Sequence, residues 1–165
     1  MKFSKVFAAG FITMILVCGM QAWAGSPATG QQKTLPPPAK TSNPYQGEVA
    51  CRFGDTVSPN VDIDGVVWHA LAVREVGHRK LVSGKAIKTR IEVVLENTRN
   101  RRAKADIILL FEDEQGNALD RIELDTISVS SGATKTARQK VKIQADVLTA
   151  MRKIYLFAEI TPHRS

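Results

Sequence analysis

Residues 86–112 read AIKTRIEVVLENTRNRRAKADIILLFE, and this stretch decides the fold class of the chain. Every second side chain from Ile87 to Leu95 is apolar or β-branched, and the alternation resumes from Ala105 to Phe111. A period of two is typical of a β-strand with one buried face, whereas an amphipathic helix needs apolar residues three and four apart. The polar run at 97–102 reads as a tight turn between the two segments. The stretch therefore predicts a β-hairpin in an antiparallel sheet with one solvated face.

The rest of the C-terminal part of the chain contains further strand-like segments separated by turns. We predict strands at 48–53, 66–76, 119–124, 134–144 and 153–160, and one helical turn or a loop at 145–150. Six or seven strands with a turn about every eight to twelve residues are typical of a β-sandwich. The sequence therefore predicts an all-β fold, an immunoglobulin-like antiparallel β-sandwich of about seven strands. A small barrel is the alternative, and the lack of a long helical period argues against an α/β fold.

The first 24 residues have the pattern of a secretory signal peptide. A positive head with Lys2 and Lys5 precedes an apolar run at 7–20, and Ala22-Trp23-Ala24 has the small-x-small pattern of a cleavage site. The apolar run is shorter than the ~18 residues of a membrane span. We therefore expect cleavage after Ala24, a periplasmic or secreted protein, and no transmembrane span in the mature chain. An uncleaved N-terminal anchor is the alternative.

Two cysteines occur, and they bear on location and on chemistry. Cys18 offers a further alternative, a lipoprotein, but Val17 is branched where a lipid-transfer site has a small residue. Cleavage of the leader leaves Cys51 alone, which excludes an intramolecular disulfide and a paired-cysteine metal site. Cys51 is then either a small buried apolar residue or a thiol that pairs with another chain. A catalytic thiol is the least favoured interpretation because no base lies nearby in sequence.

The remaining chain divides into a linker and one domain. Residues 25–46 are rich in Pro, Gly and Ser, with three consecutive prolines at 36–38, and predict a disordered linker. Residues 47–162 form one domain of about 115 residues, which is long enough to bury its own core. The formal net charge of +7 falls to +5 when Lys2 and Lys5 leave with the leader. A modestly basic chain permits attraction to anionic polymers or lipid surfaces without requiring it.

Residues with catalytic or metal-binding potential are present, but they form no recognisable motif. His69, His78 and His163 share no metal-ligand spacing, and the chain lacks a Gly-x-Ser-x-Gly elbow and a phosphate-binding glycine loop. The carboxylates of Asp62 and Asp64 lie in a turn-forming segment, and we interpret them as turn residues. We therefore expect no catalytic, cofactor-binding or metal-binding residues, and no cofactor. A small hydrolase that uses Cys51 or a serine with His69 is the least favoured function.

Two groups of side chains are candidates for binding. Basic residues crowd two connections that leave opposite ends of one predicted strand, and the candidate anion-binding residues are Arg99, Arg101, Arg102, Lys104, Arg79 and Lys80. Apolar residues also occur at outward positions of the predicted strands, with Ile108 and Leu110 expected on the strand adjacent to Val94. The candidate protein interface comprises Val94, Ile108, Leu110, Tyr155 and Phe157. Such a patch often marks a partner interface, and a second covering layer is the alternative.

Three stretches of the domain resemble the bacterial FxLyD-type modules and related immunoglobulin-like modules. VLENT at 94–98 is similar to their V-x-N-x-S/T strand end, ILLFE at 108–112 falls where they carry Phe-x-Leu-Tyr-Asp, and SGATK at 131–135 resembles their P-G-E-T/S turn. Leu110 matches the signature, whereas Phe, Tyr and Asp are replaced at 108, 111 and 112. The resemblance covers 87–160 and implies an extracytoplasmic β-sandwich that is usually tethered or paired with something else. It implies no catalytic residues.

These observations together give the expected function. We expect a non-enzymatic periplasmic or surface module that acts as an accessory, assembly or protein-interaction subunit of an envelope complex, with an envelope protein as its partner. The alternative is a protein that binds a polyanion, such as lipopolysaccharide, a cell-wall polymer or nucleic acid, through its basic loops.

Overall fold

Two β-sheets packed face to face make up the domain. The computed structural model describes residues 36–77 and 81–162. The predicted fold class, an all-β immunoglobulin-like sandwich, is confirmed. The predicted signal peptide, residues 25–35 of the predicted linker and two of the candidate anion-binding residues, Arg79 and Lys80, lie outside the described residues.

The described residues form eleven strands and one short helix. In chain order these are β1 (Ala39–Thr41), β2 (Tyr45–Ala50), β3 (Thr56–Val57), β4 (Val61–Ile63), β5 (Val66–Glu75), β6 (Ala86–Asn97), β7 (Ala103–Glu112), β8 (Ala118–Glu123), β9 (Ile127–Val129), β10 (Thr134–Gln144), α1 (Ala145–Ala150) and β11 (Lys153–Pro162). Seven of these strands have six residues or more, in agreement with the predicted number. The predicted bounds of β10 are confirmed, and α1 forms where a helical turn or a loop was expected.

The strands divide between two sheets, here called sheet I and sheet II. Sheet I has the order β1-β4-β5-β6-β10, with β3 also paired to β5. Sheet II has the order β2-β11-β7-β8, with β9 also paired to β7. All pairs are antiparallel except β1 with β4.

The predicted hairpin of β6 with β7 is wrong, because the two strands lie in different sheets. β6 pairs with β5 and β10, whereas β7 pairs with β11, β8 and β9, so residues 98–102 cross from sheet I to sheet II. The buried side chain of Asn97 fixes this crossing. Its Nδ2 donates to the carbonyl oxygens of Arg101 at 2.8 Å and Val129 at 3.1 Å, and its Oδ1 accepts from the backbone N–H of Arg99 at 3.1 Å. Val129 belongs to β9, so Asn97 ties the end of a sheet I strand to sheet II.

The predicted linker is also too long at its C-terminal end. Ala39–Thr41 form β1 and Tyr45 begins β2, so the boundary at residue 46 is wrong. Two hydrogen bonds to the same residue hold the chain that enters β1: Ala39 N donates to the Asn60 carbonyl at 3.0 Å, and Asn60 Nδ2 donates to the Pro36 carbonyl at 3.0 Å. Disorder was predicted here from the polar composition. Composition is a local property, and it cannot show hydrogen bonds to partners that are distant in sequence.

A two-residue turn follows β4, in a segment for which only turns were predicted. Asp64 and Gly65 both have positive φ, 50° and 78°, as the type I′ turn of a tight hairpin requires. Asp62 Oδ1 accepts a hydrogen bond from Gly65 N at 2.7 Å and closes the turn. This geometry supports the interpretation of the two aspartates as turn residues.

The core lies between the two sheets. Trp68 and Phe111, which are both fully buried, are the largest residues of the core, and Trp68 Nε1 donates to the Ala70 carbonyl at 3.0 Å. The pairing of β5 with β6 shifts between Trp68 and Ala70, as at a β-bulge. His69, within this irregularity, is half-buried.

Candidate functional site

The turn at 98–104 does not present all its basic side chains to a ligand. Arg99 forms an ion pair with Asp64, and its side chain is only 12% exposed. Burial lowers the pKa of Arg99, and the nearby charge of Arg101 lowers it further. An added Cβ at Gly65 would meet the Arg99 Cγ at 2.9 Å, so this side chain packs tightly against the β4–β5 turn. Arg99 therefore holds the crossover in place instead of facing solvent.

Three of the other candidate anion-binding residues follow Arg99 within a few positions. Arg101 and Arg102 are exposed, and Lys104 is half-buried on the outer face of sheet II opposite Thr161. Arg79 and Lys80 lie outside the described residues. The expected division of the basic residues between two ends of one strand therefore stays a prediction.

A larger basic surface lies on the outer face of sheet I, and here it is called the basic face. It consists of six cations from three neighbouring strands: Arg74, Lys88, Arg90, Arg138, Lys140 and Lys142. Lys88 lies opposite Lys142, and Arg90 lies between Arg74 and Lys140. Glu92 is the carboxylate within this surface, and its Oε1 is 3.0 Å from Arg90 Nε and 3.1 Å from Arg138 Nε. Alternation along β10 places its cations on the outer face, but only the strand pairing joins them to those of β5 and β6.

Four of the five candidate interface residues form one group on the outer face of sheet II, and here they are called the quartet. Tyr155 lies opposite Leu110, and Phe157 lies opposite Ile108, on the paired strands β11 and β7. All four side chains are half-buried, whereas the alternate positions between them face the core. The quartet is thus a contiguous apolar area at the centre of the sheet.

Val94 does not belong to this group. It lies on the outer face of sheet I, opposite Ala70 and Thr136. The expectation that Ile108 and Leu110 neighbour Val94 is therefore wrong. It depended on the hairpin of β6 with β7, which the structure does not form.

Polar residues border the quartet on both sides. Gln46 and Glu48 of β2 lie opposite Phe157 and Tyr155, and Tyr155 Oη donates to Gln46 Oε1 at 2.8 Å. On the β8 side, the register places Glu123 opposite Ile108 and Arg121 opposite Leu110. An apolar centre with a polar rim is the usual composition of a protein–protein interface.

Cys51 lies in the core, with 2% of its surface exposed. Burial raises the pKa of its thiol to about 11, and the nearby charge of Asp55 contributes to the shift. The thiol is therefore neutral at physiological pH, and the thiolate is the reactive form. Of the two interpretations given for Cys51, burial favours the structural residue over the intermolecular thiol.

The described residues bring together few groups that could support catalysis. His69 Nε2 lies 2.6 Å from Glu96 Oε2 on the surface of sheet I. In residues 36–77 and 81–162, no three His, Cys, Asp or Glu side chains lie close enough together to hold a metal ion. His78 and His163 are outside these ranges. None of the described helices is long and apolar enough to span a membrane.

A cavity of about 270 Å³ opens at the edge of the sandwich, between β10 and the chain that connects β8 to β9. Its apolar walls are Ile91 and Val93 of β6, Leu124, Ile127, and Ala137 of β10. Two side chains of β10 reach across it to β9 and to the β8–β9 connection: Lys135 Nζ donates to the Ser128 carbonyl at 2.8 Å, and Gln139 Oε1 accepts from Asp125 N at 2.7 Å. Ala137 lies between these two bridges and is too small to fill the space.

Comparison with known proteins adds no assignment to this geometry. No protein-family model matches the chain, and a search of curated proteins finds no match. The resemblance to FxLyD-type modules therefore stays a prediction.

Proposed function

We propose that this protein is a non-enzymatic accessory module of the bacterial envelope that binds a partner protein through the outer face of sheet II. The quartet is the observation that carries this proposal. It consists of two cross-strand pairs of large apolar side chains on the outward face of sheet II, Leu110 with Tyr155 and Ile108 with Phe157. Solvated sheet faces are normally polar, so an apolar area at the centre of one is typical of a binding surface.

The composition of the quartet fits the centre of a protein interface. Aromatic residues are enriched at such centres, and truncating them there typically causes the largest losses of affinity. The Tyr155 hydroxyl is already oriented by Gln46, which reduces the ordering needed when a partner binds. The surrounding charges of Glu48, Arg121 and Glu123 supply a polar rim that contributes to orientation more than to affinity.

Polyanion binding is less well supported at the turn for which the sequence predicted it. Arg99 is engaged by Asp64 and mostly buried, and the remaining turn residues are Arg101, Arg102 and Lys104. The cations that the fold does gather lie on the basic face of sheet I, away from this turn.

Placement of this module in the periplasm or outside the cell rests on residues 1–24, which carry the signal-peptide pattern. We expect the mature protein recovered from cells to begin at Gly25. Intact-mass spectrometry of the protein purified without added tags at its N-terminus measures this directly. A mass that retains residues 1–24, in protein from the cytosol, would contradict the proposed location.

Site-specific photo-cross-linking tests the docking surface in living cells. A benzophenone amino acid in place of Phe157 is expected to give a discrete adduct with one envelope protein, because this side chain would lie inside the interface. The same amino acid in place of Val94 is the matched control, since Val94 is also apolar, outward and half-buried but lies on sheet I.

Two outcomes of this experiment would reject the proposed surface. The first is an adduct at position 94 that is as strong as the one at 157. The second is the absence of a protein adduct at position 157 in cells that express the protein at its normal level.

A further inference from the structure

Strand β10 forms one edge of sheet I. It runs over eleven residues, Thr134–Gln144, and pairs with β6 along its full length. Among the described residues, no strand pairs with its other side. Alternate backbone N–H and C=O groups of an edge strand point away from the sheet and can pair with another chain.

The cavity described above lies directly beside this edge. Ala137 is an inward position of β10, opposite Val93, and the Lys135 and Gln139 side chains bound the opening on either side of it. A strand added beside β10 would direct alternate side chains into the same inter-sheet space. At about 270 Å³, the cavity is smaller than the ~300–1,000 Å³ of small-molecule sites, and it suits one large apolar side chain.

Three successive outward positions of β10 are basic. Arg138, Lys140 and Lys142 alternate along the strand on the outer face of the sheet. Like charges directly opposite each other destabilise a strand pair, whereas opposite charges stabilise it. A second copy of β10 would place cations against cations, so the pattern disfavours self-pairing and favours a strand with Asp or Glu at its outward positions.

From these three observations we infer that the free edge of β10 is a strand-addition site for an acidic, extended segment of a partner protein. The segment adds to sheet I by main-chain hydrogen bonds, pairs its carboxylates with Lys140 and Lys142, and inserts one large apolar side chain beside Ala137. Arg138 adds positive charge to the same edge, although its Nε already contacts Glu92. In this mode of recognition, main-chain hydrogen bonds supply the affinity, and pockets for alternate side chains supply the specificity. The site is separate from the quartet on sheet II and does not depend on it.

A synthetic peptide serves as the probe. The fluorescein-labelled sequence Glu-Val-Glu-Phe-Glu-Val-Glu has carboxylates on one face and apolar side chains on the other. We expect saturable binding to the folded domain by fluorescence anisotropy at about 0.15 M salt. Two versions of the peptide carry N-methyl groups on alternate residues, one on each edge. Because strand addition uses only one edge of the peptide, one version is expected to lose binding and the other to retain it.

Protein variants test the cavity and the charges separately. Ala137→Phe fills the cavity and is expected to weaken binding of the peptide at least tenfold. Ala118→Phe, which changes an exposed alanine of β8 in the same way, is expected to leave binding unchanged. Charge reversal by Lys140→Glu with Lys142→Glu, which leaves the ion pair of Arg138 with Glu92 in place, is expected to weaken binding of the acidic peptide at least tenfold. Substitutions in the quartet are expected to leave the affinity for the peptide unchanged, which separates this inference from the proposed function.

Several results would overturn the inference. These are the absence of saturable binding to the wild-type protein, equal binding of the two N-methylated peptides, and unchanged binding to a folded Ala137→Phe variant. If Ala137→Phe does not fold, the pair of N-methylated peptides decides the matter alone. Soluble polyphosphate that binds as tightly as the peptide, together with equal binding of both N-methylated versions, would show that β10 attracts anions through charge only.

Discussion

Replacing Asn97 by Ala is expected to lower the free energy of unfolding by about 3 kcal/mol, a large share of the ~5–15 kcal/mol of a typical domain. The side chain of Asn97 is fully buried and makes three hydrogen bonds, to the backbone of Arg99, Arg101 and Val129. Alanine cannot replace any of them, and the buried Val129 carbonyl would lose this partner. A buried polar group left without a partner costs about 1–3 kcal/mol. The crossover between the two sheets is therefore expected to loosen.

Urea denaturation followed by tryptophan fluorescence measures this effect, because Trp68 lies in the core that unfolds. Asn100→Ala is the matched control, since Asn100 belongs to the same crossover but is exposed, and its replacement is expected to change stability by less than about 0.5 kcal/mol. Equal losses in the two variants would show that Asn97 does not fix the crossover.

The fold class was predictable because alternation is a local property of the sequence. Most long strands begin and end within a residue or two of their predicted bounds, and β10 matches at both ends. Alternation shows that one face of a strand is buried, but it does not show which sheet the strand joins. A short polar connection serves a hairpin and a crossover equally well, and here the buried amide of Asn97 decides between them.

The elements that the sequence did not predict depend on partners far along the chain or on a two-residue signal. β1 is three residues long and is held by pairing with β4 and by hydrogen bonds at Asn60, none of which leaves a hydrophobic period. β4 is equally short, but the Asp64–Gly65 pair that follows it is a recognised signal for a tight hairpin. That signal was available in the sequence and was interpreted only as a turn.

The binding surfaces show the same limit. The sequence identified the apolar outward residues, but it placed Val94 beside Ile108 and Leu110 because it assumed the hairpin. The period of two along β10 is enough to place its cations on one face, but only the order of the strands joins them to Arg74, Lys88 and Arg90. The cavity beside Ala137 has no sequence signature, because its walls come from β6, β10 and the β8–β9 connection.

Introducing two carboxylates into the quartet is expected to have the largest effect on binding. Leu110→Glu with Phe157→Glu removes two apolar groups from the proposed interface, each worth about 1.5–3 kcal/mol when fully buried. It also forces unpaired charges into a desolvated contact, which adds a further cost. A combined loss above about 3 kcal/mol corresponds to roughly a hundredfold weaker affinity. Both positions face outward, so the domain is expected to stay folded, which thermal unfolding checks.

The most direct test of the sheet II surface is the affinity of the double variant for the partner captured by cross-linking at position 157, measured by isothermal titration calorimetry. The control carries Val94→Glu with Thr136→Glu, which places two carboxylates at neighbouring outward positions of sheet I. We predict that Leu110→Glu with Phe157→Glu weakens binding at least a hundredfold, while the control binds within about threefold of the wild type. Unchanged affinity in a folded Leu110→Glu, Phe157→Glu protein would show that the partner does not bind at the quartet.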